Sequence, residues 1–255
     1  MKFVLFYHSF ASCWNHGNAH FLRGIARELI RLGHEVNVYE PHDGWSRTNA
    51  LQDVGPEALE QASTLVPGVK LCVYDVRSLD LDQATDGADV VLVHEWNPPE
   101  LVAALGARRH NGGRFLLLFH DTHHRAASAP EAIDAFDLDG YDAVLAFGAI
   151  LRELYLLRGW GQRVFTWHEA ADTILFRPLP HVQSDTDVIW IGNWGDGERE
   201  TELQEFLIDP AARLTIRARH TCVHRVRELN DIIDRLGKSA TPHPNVLEQS
   251  ERIAL

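Results

Sequence analysis

Cysteine is scarce in this sequence. There are three in 255 residues, Cys13, Cys72 and Cys222, an odd number with no C-x-x-C spacing. That argues against a disulfide framework or a zinc ribbon and suits a reducing cytosol. Basic residues are also short: 24 Lys and Arg face 36 Asp and Glu, for a formal net charge of -12. A chain so acidic lacks the basic face that phosphate-backbone binding needs, so nucleic acid is not an expected partner. Long apolar runs are missing too. None approaches the length of a membrane span, and the opening "MKFVLFYHSF" has neither a signal-peptide core nor a small-residue cleavage site after it. The expectation is a cytoplasmic protein with no integral membrane segment. Finally, there is no G-x-G-x-x-G, so a dinucleotide fingerprint is absent.

What the sequence does contain is a regular alternation. Short apolar runs, "KFVLFY", "EVNVYE", "VKLCVY", "DVVLVHEW", "RFLLLFHD", "DAVLAF" and "RVFTWHE", are separated by segments of helical spacing. Several runs are continuously apolar, as in strands covered on both faces. In the first helical segment Phe21, Ile25, Leu29 and Leu32 share a stripe, Arg23, Arg27 and Arg31 lie on another face, and Gly33 is a natural stop. Pro98-Pro99 suits a helix start. Strands alternating with helices predict an α/β fold with a Rossmann-like, doubly wound parallel sheet.

The organisation changes near "FRPLPHVQSDTD". Residues 1–176 read as one Rossmann-like domain and 177–187 as a linker. Residues 188–210, opening on "VIWIG", read as the start of an incomplete second domain. Residues 211–255 form an atypical tail, with eight Lys and Arg against five Asp and Glu. Within the tail, "CVHRVRELNDIIDRLG" is either a helix with an apolar stripe or part of unrelated sequence replacing a natural second domain. The expectation here is low order after about residue 210, with exposed apolar surface on the 188–191 strand.

In an open parallel sheet ligands bind beyond the carboxyl ends of the strands. That rule selects the candidate site. After the first strand, Gly17 allows close backbone approach and Asn18 is placed to cap the next helix, whose N-terminus favours an anion. After the fourth come His94 and Glu95, after the fifth His120 and Asp121, and after the seventh His168 and Glu169. A histidine held by a carboxylate can act as a general base, which makes His120 and Asp121 the candidate catalytic pair. The bland alternative is that Asp121 caps the following turn and His120 is a packed ring. "HDTHH" also suggests a metal-dependent hydrolase through His120, His123 and His124, although its spacing matches no usual zinc signature.

Several of these stretches together resemble the GT-B glycosyltransferases. "GNAHFLRGIARELIRLGHEVNVYEP" is similar to their glycine loop, first helix and second strand, and "FHD" to the histidine loop of their acceptor domain. "EAADTILFRP" resembles the N-G-V-D-x-x-x-F-x-P stretch that closes this domain in family 4-like members, and "IWIGNWGDGERETEL" the start of their donor domain. The wording around residues 14–47 is closest to the CgeB-like, spore-maturation-type group. The resemblance covers about residues 1–210. It implies transfer of a sugar from a nucleotide-sugar co-substrate to an acceptor, with no metal or other cofactor. It also implies roles for residues. Gly17 and Asn18 would approach the donor's phosphate and sugar, and His120 would stand in the acceptor cleft beside Asp121. Gly192, Asn193 and Arg199 would contact the diphosphate. The acidic pair that the family places further on has no counterpart after residue 210, so the chain is expected to be truncated in its donor domain and to transfer sugar weakly or not at all. His94, His120, His168 and the Gly17 loop are expected to line one cleft.

Overall fold

The computed structural model describes residues 1–14, 17–177 and 221–237. Seven strands form one all-parallel sheet: β1 (Lys2–Phe6), β2 (Glu35–Pro41), β3 (Lys70–Tyr74), β4 (Val90–His94), β5 (Leu116–Asp121), β6 (Ala143–Ala146) and β7 (Val164–Thr166). Their order is β3-β2-β1-β4-β5-β6-β7, and every pairing is parallel. This is the doubly wound Rossmann-like sheet that the apolar runs imply.

The central strands are buried along their whole length, which explains their unbroken apolar sequence. Their side chains still alternate between faces. Phe3 and Leu5, Val90 and Leu92, and Leu116 and Leu118 point to one face, whereas Val4 and Phe6, Val91 and Val93, and Leu117 and Phe119 point to the other.

The connections divide by direction. The steps from β1 to β2 to β3 run one way across the sheet, and those from β3 to β4 and onward to β7 run the other way. Right-handed crossovers therefore place the two groups of helices on opposite faces. Helix α1 (Asn18–Arg31) packs on the first face. It is followed by α2 (Trp45–Asp53) and by α3 (Glu57–Leu65), whose Leu65 meets the same core. The second face is covered by α4 (Leu81–Thr85), α5 (Pro99–His110), α6 (Arg125–Ser128), α7 (Glu131–Asp134) and α8 (Ala149–Arg158). Helix α1 ends as expected, with Gly33 at φ 81 beyond its last turn. Helix α5 begins at Pro99.

This winding leaves the first face without a crossover helix over β4 to β6. The last described helix, α9 (Cys222–Arg235), supplies one. Val226, Leu229, Ile232 and Ile233 join the core formed by α1 and the first face of the sheet. Trp167, just after β7, donates its indole N–H to the Arg225 carbonyl at 2.8 Å. Gly24 allows α1 and α9 to approach closely, since a Cβ there would lie 2.4 Å from the Cys222 sulfur. The expectation of low order after residue 210 therefore fails for residues 221–237. The apolar stripe of that segment finds its partner on the first domain's own sheet. The 188–191 strand, the proposed linker from 178 onward and the rest of the tail lie outside the described residues.

The arginines of α1 are tied into the fold. Arg23 is buried and donates to the Phe10 and Ala11 carbonyls, Arg27 pairs with buried Asp172, and Arg31 pairs with Glu28. Among the described residues no helix is long and apolar enough to cross a membrane.

Candidate functional site

The strand order reverses between β1 and β4, so a crevice forms at their carboxyl edge. The loop after β1 is fixed there from two sides. Glu40, fully buried at the end of β2, accepts the backbone N–H groups of Phe10 and Ala11, both at 2.6 Å. Arg23 holds the carbonyls of the same two residues at 2.7 and 3.1 Å. One carboxylate and one guanidinium thus satisfy a buried turn that strand and helix geometry leave unpaired.

Tyr7, His94 and His120 occupy the ends of three neighbouring strands, in the side-chain parity of Leu5, Leu92 and Leu118. They form a cluster of tilted and edge-on rings beneath α1. Tyr7 lies 4.8 Å from His94 between ring centroids, and His120 lies 4.7 Å from Trp167. The Tyr7 hydroxyl and His120 Nδ1 are hydrogen-bonded at 2.7 Å. Burial holds the His120 imidazole down at about 3 and, with the Glu169 charge, raises the Tyr7 phenol well above its ordinary value. Both are neutral at pH 7.

Asp121 has the opposite parity and faces the other side of the sheet. Its carboxylate accepts the His123 backbone N–H at 2.9 Å and the Tyr155 hydroxyl at 2.8 Å. His120 and Asp121 therefore do not form the expected pair. Adjacent strand residues point to opposite faces, so Tyr7 partners the histidine and Tyr155 the aspartate. Asp121 braces the following turn, and His120 is a packed ring.

Burial, and then the Glu95 charge, push the Asp121 carboxyl up to about 7, while the bonds from His123 and Tyr155 pull it down. A carboxyl raised in this way holds its proton more firmly in the folded than in the unfolded chain. Its stabilising contribution is complete below about 4, the ordinary carboxylate range, and is lost as pH rises through the folded value. Asp121→Asn, which cannot ionise, should accordingly gain stability relative to the parent between pH 5 and pH 8. Urea unfolding at both pH values measures this, and a constant difference would refute it.

Thr122 connects the two parities. Its hydroxyl accepts from His94 Nε2 at 3.0 Å and Asn18 Nδ2 at 3.0 Å, and donates to Glu95 Oε1 at 3.1 Å. Asn18 is thus the first residue of α1 rather than its cap. Gly17 takes the cap position, at φ -78 and ψ -24 with no side-chain bond. The Glu95 side chain is wholly buried. It also receives the Thr122 backbone N–H at 2.9 Å and the Arg125 guanidinium at 2.6 Å, which stacks 4.2 Å above Trp96.

One groove, of about 410 Å³, opens at this edge. Gly17, His20 and Phe21 line it from the start of α1, and Glu169 to Asp172 and Phe176 from the segment after β7. Glu169 is half-buried, and its Oε1 is a buried oxygen without a hydrogen-bond partner. Burial, and then Glu95, push its carboxyl up to about 7. The single cleft expected from the sequence is only partly formed. Gly17 and Glu169 reach the groove, His94 and His120 lie 0% exposed beneath it, and His168 is exposed but is not part of the lining. Gly192, Asn193 and Arg199 lie outside the described residues.

The metal reading of "HDTHH" also loses its geometry. The His123 and His124 rings lie 4.1 Å apart and tilted by 52° against each other, while His120 is turned into the core. Among the described residues no three His, Cys, Asp or Glu side chains are placed to share a metal ion.

Sequence reasoning missed Tyr7, Thr122, Glu40 and Arg125. Strand parity could have revealed the first, since Tyr7 continues the series Phe3, Leu5. The others act across the sheet, and no local pattern marks them. Compared with models of known protein families the chain matches none, and it matches no curated protein.

Proposed function

We propose that this chain is a glycosyltransferase of the two-Rossmann-domain type, and that the groove between α1 and the segment after β7 takes a nucleotide sugar for transfer to an acceptor. The observation that carries this reading is the pairing, across one groove, of an open helix start with a carboxyl group that has an unpartnered oxygen. At Gly17 an added Cβ would meet nothing within 4 Å and the backbone is ordinary, so the fold itself does not require glycine there. The first N–H groups of α1 suit a phosphate oxygen. Glu169, raised to about 7, can accept from or donate to a sugar hydroxyl. Asp172 has no such freedom, because it is bound to Arg27 and to the Ile174 and Leu175 amides. The resemblance of "IWIGNWGDGERETEL" assigns the remaining diphosphate contacts to Gly192, Asn193 and Arg199.

A second reading, a non-catalytic Rossmann-like binding module, is favoured by one specific feature. The two imidazoles at the edge are fully buried and Asp121 is already bonded, so no ready-made general base stands among the residues first expected to supply it. Calorimetric titration with a panel of uridine and guanosine diphosphate sugars, beside an assay for released nucleoside diphosphate, separates the readings. Both expect binding. Release, even slow, supports the transferase; binding without any release supports the module. Absence of binding at millimolar sugar nucleotide would overturn both.

A further inference from the structure

The loop between β1 and α1 carries a second cluster that the sugar-transfer reading does not use. Cys13 Sγ lies 3.2 Å from His20 Nε2, and the Arg23 guanidinium hydrogen-bonds the same thiol. Cys13 is half-buried, and His20 lines the groove. We propose that Cys13 is a nucleophilic thiol, with His20 as its base and Arg23 as its positive neighbour, and that it is a site of covalent modification by small disulfides and other soft electrophiles.

The chemistry follows from the positions. An imidazole at hydrogen-bond distance takes the thiol proton as the sulfur attacks, and a guanidinium stabilises the negative charge that develops. His20 is suited to receive that proton, because burial and then Arg23 hold its imidazole below the ordinary value and therefore neutral at pH 7, against the opposing pull of Asp172. The charged groups around the pair come from several elements: Arg23 and Arg27 from α1, Glu40 from β2 and Asp172 from the segment after β7. With a disulfide such as oxidised glutathione, Cys13 Sγ attacks one sulfur and the S–S bond breaks. A Cys13–glutathione bond forms, and the second glutathione leaves as a thiolate that takes the proton from His20. No further oxidant is needed.

The other two cysteines provide internal controls. Cys72 is also half-buried, but its hydrogen-bond partner is the Tyr39 phenol, which burial raises to about 12 and which cannot serve as a base. Cys222 is buried against α1, and burial raises its thiol to about 12.

The experiment is timed alkylation of the full chain with iodoacetamide at pH 7, with peptides mapped by mass. Cys13 should label about ten-fold faster than Cys72, and His20→Gln should slow Cys13 by a similar factor without changing Cys72. Oxidised glutathione should add one glutathione, confined to the Cys13 peptide and removed by dithiothreitol. Cys222 monitors folding: if it becomes labelled, the variant has opened, and the parent's Cys13-to-Cys72 ratio alone decides. Equal labelling of Cys13 and Cys72 in the parent, or an unchanged Cys13 rate in folded His20→Gln, would overturn the proposal. Neither outcome involves a nucleotide sugar, so the test is independent of the sugar-transfer reading.

Discussion

A chain ended after residue 220 should fail to fold cooperatively. Helix α9 places Val226, Leu229 and Ile233 at 0% exposure and Ile232 at 5%, against α1 and the first face of the sheet. Burying one large aliphatic side chain is worth about 1.5–3 kcal/mol, so these four contribute roughly 6–12 kcal/mol in gross. A whole domain is typically stable by only about 5–15 kcal/mol. The ordering entropy of the helix reduces the loss, but Trp167 would lose its partner at the Arg225 carbonyl and the core shared with α1 would be opened on one side. The shortened chain should lose its near-ultraviolet Trp signal, bind a hydrophobic dye and show no sharp urea transition. A cooperative transition at the parent's midpoint would mean that α9 adds nothing to the core.

The second large effect concerns Glu95. Its buried carboxylate receives two bonds from Thr122 and a forked pair from Arg125. Glu95→Gln leaves Arg125 without its counter-charge, and breaking a buried pair from one side costs about 3–5 kcal/mol. There is also a second readout. The Glu95 charge helps to raise both Asp121 and Glu169, in each case after burial. In the variant both carboxyls should titrate at lower pH than in the parent, while remaining above the ordinary range because burial persists. Urea unfolding measures the loss of stability, and carbon-detected NMR titration the shift. Unchanged titration of both groups would show that Glu95 does not set the electrostatics of the edge.

The sequence makes the sheet legible because its strands are buried on both faces and read as unbroken apolar runs, with helices of 3.6 period between them. It also makes the edge legible, since the polar residues at strand ends stand out against those runs. It does not reveal partners across the sheet. His120 and Asp121 are adjacent in the chain and look like a pair, yet adjacency within a strand guarantees opposite faces. Tyr7, 113 residues away from His120, is the actual neighbour. The partners of the α1 arginines are hidden in the same way, because Asp172 and the loop carbonyls that bind them are remote in the chain. Helix α9 looks like a tail because the surface its stripe covers belongs to strands more than seventy residues earlier. Gly17 and Glu169 are the two sequence candidates that line the groove.

The most direct measurement of the central claim is calorimetric titration of the best-bound nucleotide sugar into Gly17→Val beside the parent. An added Cβ meets nothing within 4 Å in this fold and the backbone angles there suit any residue, so the variant should fold within about 1 kcal/mol of the parent. A ligand phosphate against the start of α1 would meet the new side chain. The account predicts at least ten-fold weaker binding with an almost unchanged urea midpoint, a loss of about 1.4 kcal/mol or more. Equal affinity in parent and variant would contradict it, because the ligand would then lie elsewhere than in the groove at the start of α1.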